Sequence, residues 1–151
     1  MKTVIVTGGS RGIGATLVKE LAKEGYNVIL NYNNSESEAK KIKEENKNIE
    51  IFKADVSKKQ DVKELIDFAN NKFGKVDILI NNAGIYKSNF IQNIEEEEWE
   101  EIINVNLKSV FLCTKEVVSQ MIKRRSGCII NISSVDGLVG AACEAHYCAS
   151  K

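Results

Sequence analysis

Thr3-Val4-Ile5-Val6-Thr7-Gly8-Gly9-Ser10-Arg11-Gly12-Ile13-Gly14 joins a short β-branched run to a glycine cluster and then to helical spacing. Thr3 to Thr7 has the unbroken apolar character of a strand buried on both faces. From Ile13 the period changes: Ile13, Leu17 and Leu21 share one helical face, and Gly25 supplies the stop. A glycine turn held directly between a strand and a helix has a specific use. Glycines at 8, 12 and 14 permit positive φ, let backbone approach a pyrophosphate, and let the helix pack closely on the strand. The free N–H groups of the helix start attract the anion. The expected ligand is a phosphate-bearing dinucleotide, with Gly8, Ser10, Arg11, Gly12, Ile13 and Gly14 against it. No Gly-Lys-Ser/Thr follows the Gly-x-x-x-Gly-x-Gly spacing, so kinase and ATPase readings fall.

The same alternation continues outward from this stretch. Asn27 to Asn31 is a second apolar run, Ser35 to Asn46 a polar helix with Ser35 as its cap, and Ile49 to Ala54 a third strand. Val62, Leu65, Ile66, Ala69 and Phe73 form a helical stripe ending at Gly74, and Asp77 to Ile80 is a fourth strand. From Glu96 to Lys123 a stripe through Trp99, Ile103, Leu107, Val110, Thr114, Val118 and Met121 predicts one long core-facing helix. Cys128 to Ile132 is the fifth strand. Strands alternating with helices imply a parallel sheet covered on both faces, because right-handed crossovers place the helices there.

Composition narrows the class. The chain has 151 residues, 43% hydrophobic and 28% charged, which suits one globular domain and excludes disorder and collagen. Lys+Arg 21 balance Asp+Glu 21, so the broad positive field that gathers nucleic acid or anionic lipid is missing, and neither is an expected partner. Met1 to Thr7 shows neither a cleavage site nor the length of a membrane helix. Cys113, Cys128, Cys143 and Cys148 form no Cys-x-x-Cys pair, which fits reduced thiols and a cytoplasmic location. The run Glu95 to Glu98 is expected to be a solvated helix start and not a metal site, since carboxylates favour the positive end of the helix dipole.

Cofactor choice is legible too. A carboxylate ending the second strand would bind the adenosine ribose hydroxyls of NAD, but that strand runs Leu30-Asn31-Tyr32-Asn33-Asn34. Arg11 inside the loop can pair with a ribose 2′-phosphate, which points to NADP.

Further signatures follow in order: Asp55-Val56 after the third strand, Asn81-Asn82-Ala83-Gly84 at the fourth, Asn104-Val105-Asn106-Leu107 in the long helix, then Ser134 and Tyr147-x-x-x-Lys151. With the loop Thr7 to Gly14, this set resembles the short-chain dehydrogenase/reductase family. The resemblance implies a Rossmann-type, doubly wound α/β sheet of order 3-2-1-4-5, one nucleotide-binding domain over residues 1–151. It also implies cofactor contacts at Asn31, Asp55, Val56, Asn82, Ala83, Gly84, Tyr147 and Lys151, and a catalytic set of Asn106, Ser134, Tyr147 and Lys151. Family members continue for roughly another hundred residues past this motif. The expectation is therefore a sheet without its last two strands, with Tyr147 and Lys151 on a frayed helix.

The implied chemistry is ketone reduction with NADPH. A phenol of pKa about 10 is a poor proton donor at pH 7 unless a neighbouring cation stabilises its phenolate, the role the resemblance gives Lys151. Ser134 would hydrogen-bond the carbonyl oxygen, and Asn106 would anchor a relay water. His146, beside Tyr147 but about 100° round the helix, is expected to be structural or to line the pocket. The stretch Gly140 to Tyr147 is similar to that of bacterial reductases of 3-oxoacyl carrier-protein thioesters, including a group acting on a 5-aminopentanone modification of elongation factor P. Two other expectations stand beside this one: a silent nucleotide-binding or dimerising fragment, and a sugar or steroid alcohol dehydrogenase. For a longer form the resemblance implies a homo-oligomer.

Overall fold

In the computed structural model, which describes residues 1–151, the opening apolar run becomes β1 (Thr3–Val6), buried at all four positions. It lies in the middle of the sheet, which is why it shows no polar alternation. The other strands are β2 (Asn27–Tyr32), β3 (Ile49–Lys53), β4 (Ile78–Asn81) and β5 (Cys128–Asn131), in the order β3-β2-β1-β4-β5 with every pairing parallel. Val4 stands opposite Val28 on one side and Ile78 on the other. The fold is the doubly wound α/β sheet expected from the alternation.

Helices cover both faces. α1 (Gly12–Lys23) and α2 (Glu36–Glu44) enclose Val4, Val6, Leu30 and Ile80 with Val18, Ala22, Ala39 and Ile42. On the opposite face α3 (Lys59–Phe73) and α5 (Ser109–Arg124) pack Leu65, Ile66, Cys113 and Val117 on Ile5, Ile29 and Leu79. Gly74 ends α3 with φ +82, a left-handed cap that residues with a Cβ adopt at a cost. Between β4 and β5 the long helix is broken: α4 (Glu96–Ile103) passes through a π-turn at Asn104–Lys108 into α5. Two short helices follow β5, α6 (Asp136–Val139) and α7 (Ala145–Ser150).

Three expectations need correction. The buried face of α1 is Gly14, Val18 and Ala22, while Ile13 is 64% exposed and Leu17 and Leu21 only flank the core. Small residues take the contact because the helix lies close over the glycine loop, which leaves the large side chain at the loop mouth. The long stripe is displaced likewise. Ile102, Asn106, Ser109, Cys113 and Val117 face inward, whereas Leu107 is half exposed and only Met121 of the predicted set is buried. The inward seam runs one position ahead of the predicted one on both sides of the π-turn, because the polar Asn106 and Ser109 are turned inward with Ile102, Cys113 and Val117. Ser35 does precede α2, but its side chain makes no capping bond.

Asp77, at the mouth of β4, ties three strands together. Its Oδ2 accepts the Thr3 N–H at 2.9 Å, its carbonyl accepts the Cys128 N–H at 3.0 Å, and Lys75 Nζ lies 3.0 Å from Oδ1. Burial works to raise this carboxyl, but the Thr3 N–H and the charges of Lys75 and Arg124 hold it below its ordinary value.

Candidate active site

The glycine loop leaves β1 and is pinned from both sides. From β2, Asn31 is buried; its Oδ1 accepts the Gly8 N–H at 3.3 Å, its Nδ2 donates to Ala54 O at 3.0 Å, and its carbonyl takes the Gly9 N–H at 2.8 Å. Asn31 thus borders the cleft chiefly as a brace. From the end of β4, Asn82 Nδ2 donates to the carbonyls of Thr7 and Gly8 at 2.9 and 3.1 Å, while Thr7 Oγ1 accepts the N–H groups of Asn82 and Ala83, both at 3.0 Å. A Cβ on Gly14 would strike Gly8 O and stand 2.6 Å from Asn82 Nδ2. The glycine is there so that α1 can close on this brace.

What the brace leaves open is a row of donors. None of the N–H groups from Ser10 to Gly14 finds an acceptor within the protein. They border a cleft of about 350 Å³ whose walls include Gly8, Ser10, Arg11, Ile13, Gly14, Asn31, Ala54, Asp55, Val56, Asn82, Ala83 and Gly84. Gly12, at φ +53, turns the chain at the lip with nothing within 4 Å of where a Cβ would be. Unpaired donors at a helix start suit an anionic bridge, so these residues fit a dinucleotide. At the far wall Asp55 accepts from Ser57 N and Oγ at 3.1 and 2.6 Å. Burial pushes its carboxyl up, but Ser57 and Lys58 outweigh that and keep it low, leaving a charged acceptor. Arg11 is exposed and has no ion-pair partner; Asn33, Asn34 and Ser35 line the cleft with it. These three were not among the expected contacts, although they sit at the carboxyl end of a strand, where ligands of open α/β sheets bind.

Gly84 links the cleft to a second group of side chains. It lines the cleft, and a Cβ there would lie 3.2 Å from Lys151 Nζ and 3.4 Å from Asn106 Oδ1. Lys151 Nζ donates to Ile132 O at 3.1 Å and stands 5.9 Å from the centroid of the Tyr147 ring. Burial pushes its amine below the ordinary lysine value. Asn106, buried in the π-turn, clasps Ile85 through both backbone groups at 2.8 and 2.9 Å and donates to Ser150 Oγ at 2.9 Å. Both its side-chain hydrogens are used, so a relay water can reach the side chain only through Oδ1. Tyr86, unanticipated from sequence, stands edge-on to Tyr147 with centroids 5.2 Å apart and donates to Glu144 at 2.7 Å. Ser134 Oγ donates to Asp136 at 3.0 Å. His146 is buried, with its Nε2 3.0 Å from Glu98 Oε1. In the glutamate run, Glu95, Glu96 and Glu97 are exposed at the start of α4, as a solvated helix start requires, and Glu98 alone of the four is half-buried against a partner.

Loop, brace and Tyr-x-x-x-Lys helix now stand in one arrangement, and residues 2–151 match the family model described as short chain dehydrogenase. The chain belongs to the short chain dehydrogenase family. Among its relatives in that family, it is 46% identical to a 3-oxoacyl-(acyl-carrier-protein) reductase of Staphylococcus epidermidis and 44% identical to that of Staphylococcus aureus. Each alignment covers 99% of this chain and 63% of the relative. A reductase with the same description from Synechocystis is 40% identical over 99% of this chain and 62% of its own length. The chain thus spans less than two thirds of these short chain dehydrogenase relatives.

Proposed function

We propose that these residues form the cofactor-binding and proton-donating part of an NADPH-dependent reductase that converts a ketone, of the 3-oxoacyl thioester class, to an alcohol. The observation that carries this reading is the junction at Gly84, where the cleft of unpaired N–H groups meets Asn106 and Lys151, the latter one helical turn from Tyr147. The names of the relatives support the substrate class and a carrier-bound form of it. The lack of an acid at the end of β2, with an exposed and unpaired Arg11 lining the same cleft as Ser35, supports NADPH over NADH. A cytoplasmic site of action belongs to the same reading.

When bound, the reduced nicotinamide supplies hydride to the carbonyl carbon. Tyr147 passes its phenolic proton to the carbonyl oxygen. Lys151 faces the ring from a partly buried position, where its charge is weakly screened and favours the phenolate. Ile132 O takes one ammonium hydrogen and so fixes the direction of the others. The lowered affinity of Lys151 for its own proton helps it pass one on. Ser134 donates to the substrate oxygen once that oxygen displaces the Asp136 carboxylate from its hydroxyl.

Oxidation of NADPH and of NADH, followed optically with a small 3-oxoacyl thioester, tests the proposal. Thioester-dependent oxidation faster with NADPH, reduced about a hundredfold or more in Tyr147→Phe, is expected. Equal rates in wild type and Tyr147→Phe would refute it.

A further inference from the structure

α7 has six residues, too few to hold a helical form alone, so its orientation is imposed by what grips it. It carries two pairs of residues spaced one turn apart. Tyr147 and Lys151 face the site; His146 and Ser150 are buried on the neighbouring face, at 0% and 4% exposure. Each buried member is tied to a different part of the broken helix. Ser150 Oγ accepts from Asn106 in the π-turn, and His146 Nε2 lies 3.0 Å from Glu98 Oε1 in the first turn of α4. A carboxylate oxygen can only accept, so Nε2 carries the hydrogen. The ring's other nitrogen, Nδ1, is buried without a partner.

That unpaired nitrogen is informative. A leucine would fill the space without leaving a buried acceptor unsatisfied, so the imidazole is not the cheapest filler. What it adds is a directional bond, which apolar contact lacks: Glu98 sits where the α4 dipole favours a carboxylate and fixes the angle of the ring. We infer that His146, held by Glu98, is a positioning residue that sets the rotation of α7 about its axis and so aims the adjacent Tyr147. Ser150 grips the last turn and His146 the first; the phenol hangs beside the His146 grip.

The chain's only histidine makes this testable by NMR, with turnover as a second arm that rests on the reductase reading. In the wild type the ring contact of Tyr147 with Tyr86 gives cross-peaks, and Nε2–H gives a protected resonance. His146→Leu and Glu98→Ala should both lose the ring-to-ring cross-peaks and lower kcat at least about tenfold, with KM for NADPH within about twofold. His146→Gln, whose Nε2 reaches the place of the ring Nε2, should restore both. Glu98 is partly exposed, so Glu98→Ala carries the test if His146→Leu does not fold. Unchanged cross-peaks in folded His146→Leu or Glu98→Ala would overturn the inference, as would a loss that His146→Gln fails to restore. If the wild type reduces no ketone, the reductase reading fails, and the cross-peaks alone decide the role of His146.

Discussion

One methyl group has two different costs in the same loop. Gly12→Ala meets no protein atom but must hold φ +53, which costs about 1–2 kcal/mol of stability without moving the loop off its brace. Gly14→Ala drives its methyl into Gly8 O and Asn82, so the loop must leave its brace. We expect about 3 kcal/mol lost and no nucleotide binding. Urea unfolding beside a fluorescence titration with NADPH separates the two. In the same titration Arg11→Ala should cost NADPH about 1.5–3 kcal/mol and leave NADH nearly unchanged; an equal loss for both would end the 2′-phosphate argument. The loop glycines and the Tyr-Lys pair were legible because their spacing lies within one turn or one helix. Asn31 as a brace, Tyr86 beside Tyr147 and Glu98 beneath His146 were not, since those contacts join residues 23, 61 and 48 positions apart and no local period encodes them.

Among the elements, β4 depends on a single charge. Asp77 has a folded-state pKa below its unfolded value, so its contribution is fully present above the unfolded value and is lost as pH falls through the folded one. Asp77→Ala should therefore be less stable by about 1.5–3 kcal/mol at pH 7, and the gap to wild type should narrow steadily in acid. Denaturant midpoints from pH 7 down to pH 2 measure it, and a gap independent of pH would show that the loss is one of packing. The strands themselves were readable to within a residue or two because a sheet buried on both faces needs continuous apolar runs. Helix faces were less so. On α1 and across α4 and α5 the largest apolar side chains suggested the core side, but the structure gives that side to Gly14, Ala22, Asn106 and Ser109. Close packing at Gly14 and Ala22 and the hydrogen bonds of Asn106 and Ser109 decide it, and neither is visible in hydrophobic periodicity.

At the scale of the molecule, the exposed apolar side chains gather where the sheet ends. β5 is an edge strand with Ile130 43% exposed, and beside it Leu107 and Phe111 stand outward at 49% and 59%. Unpaired strand edges invite pairing with another chain. These 151 residues should self-associate on a sizing column at micromolar concentration, and Ile130→Lys with Phe111→Glu should shift them toward monomer; a wild type that elutes as a monomer at every concentration would refute this. The order of the sheet has a further consequence, for the time course of folding. β1 is the first strand to leave the ribosome, yet it is the central one: Val4 must wait for Val28 on one side and for Ile78 on the other, and β4 in turn waits for β5. No hairpin offers an early local nucleus, so the chain pays loop-closure entropy several times before any strand pair is secure. Refolding from urea should then show helical circular dichroism returning first and nucleotide affinity last, because the cleft exists only once β1 has a partner on each side.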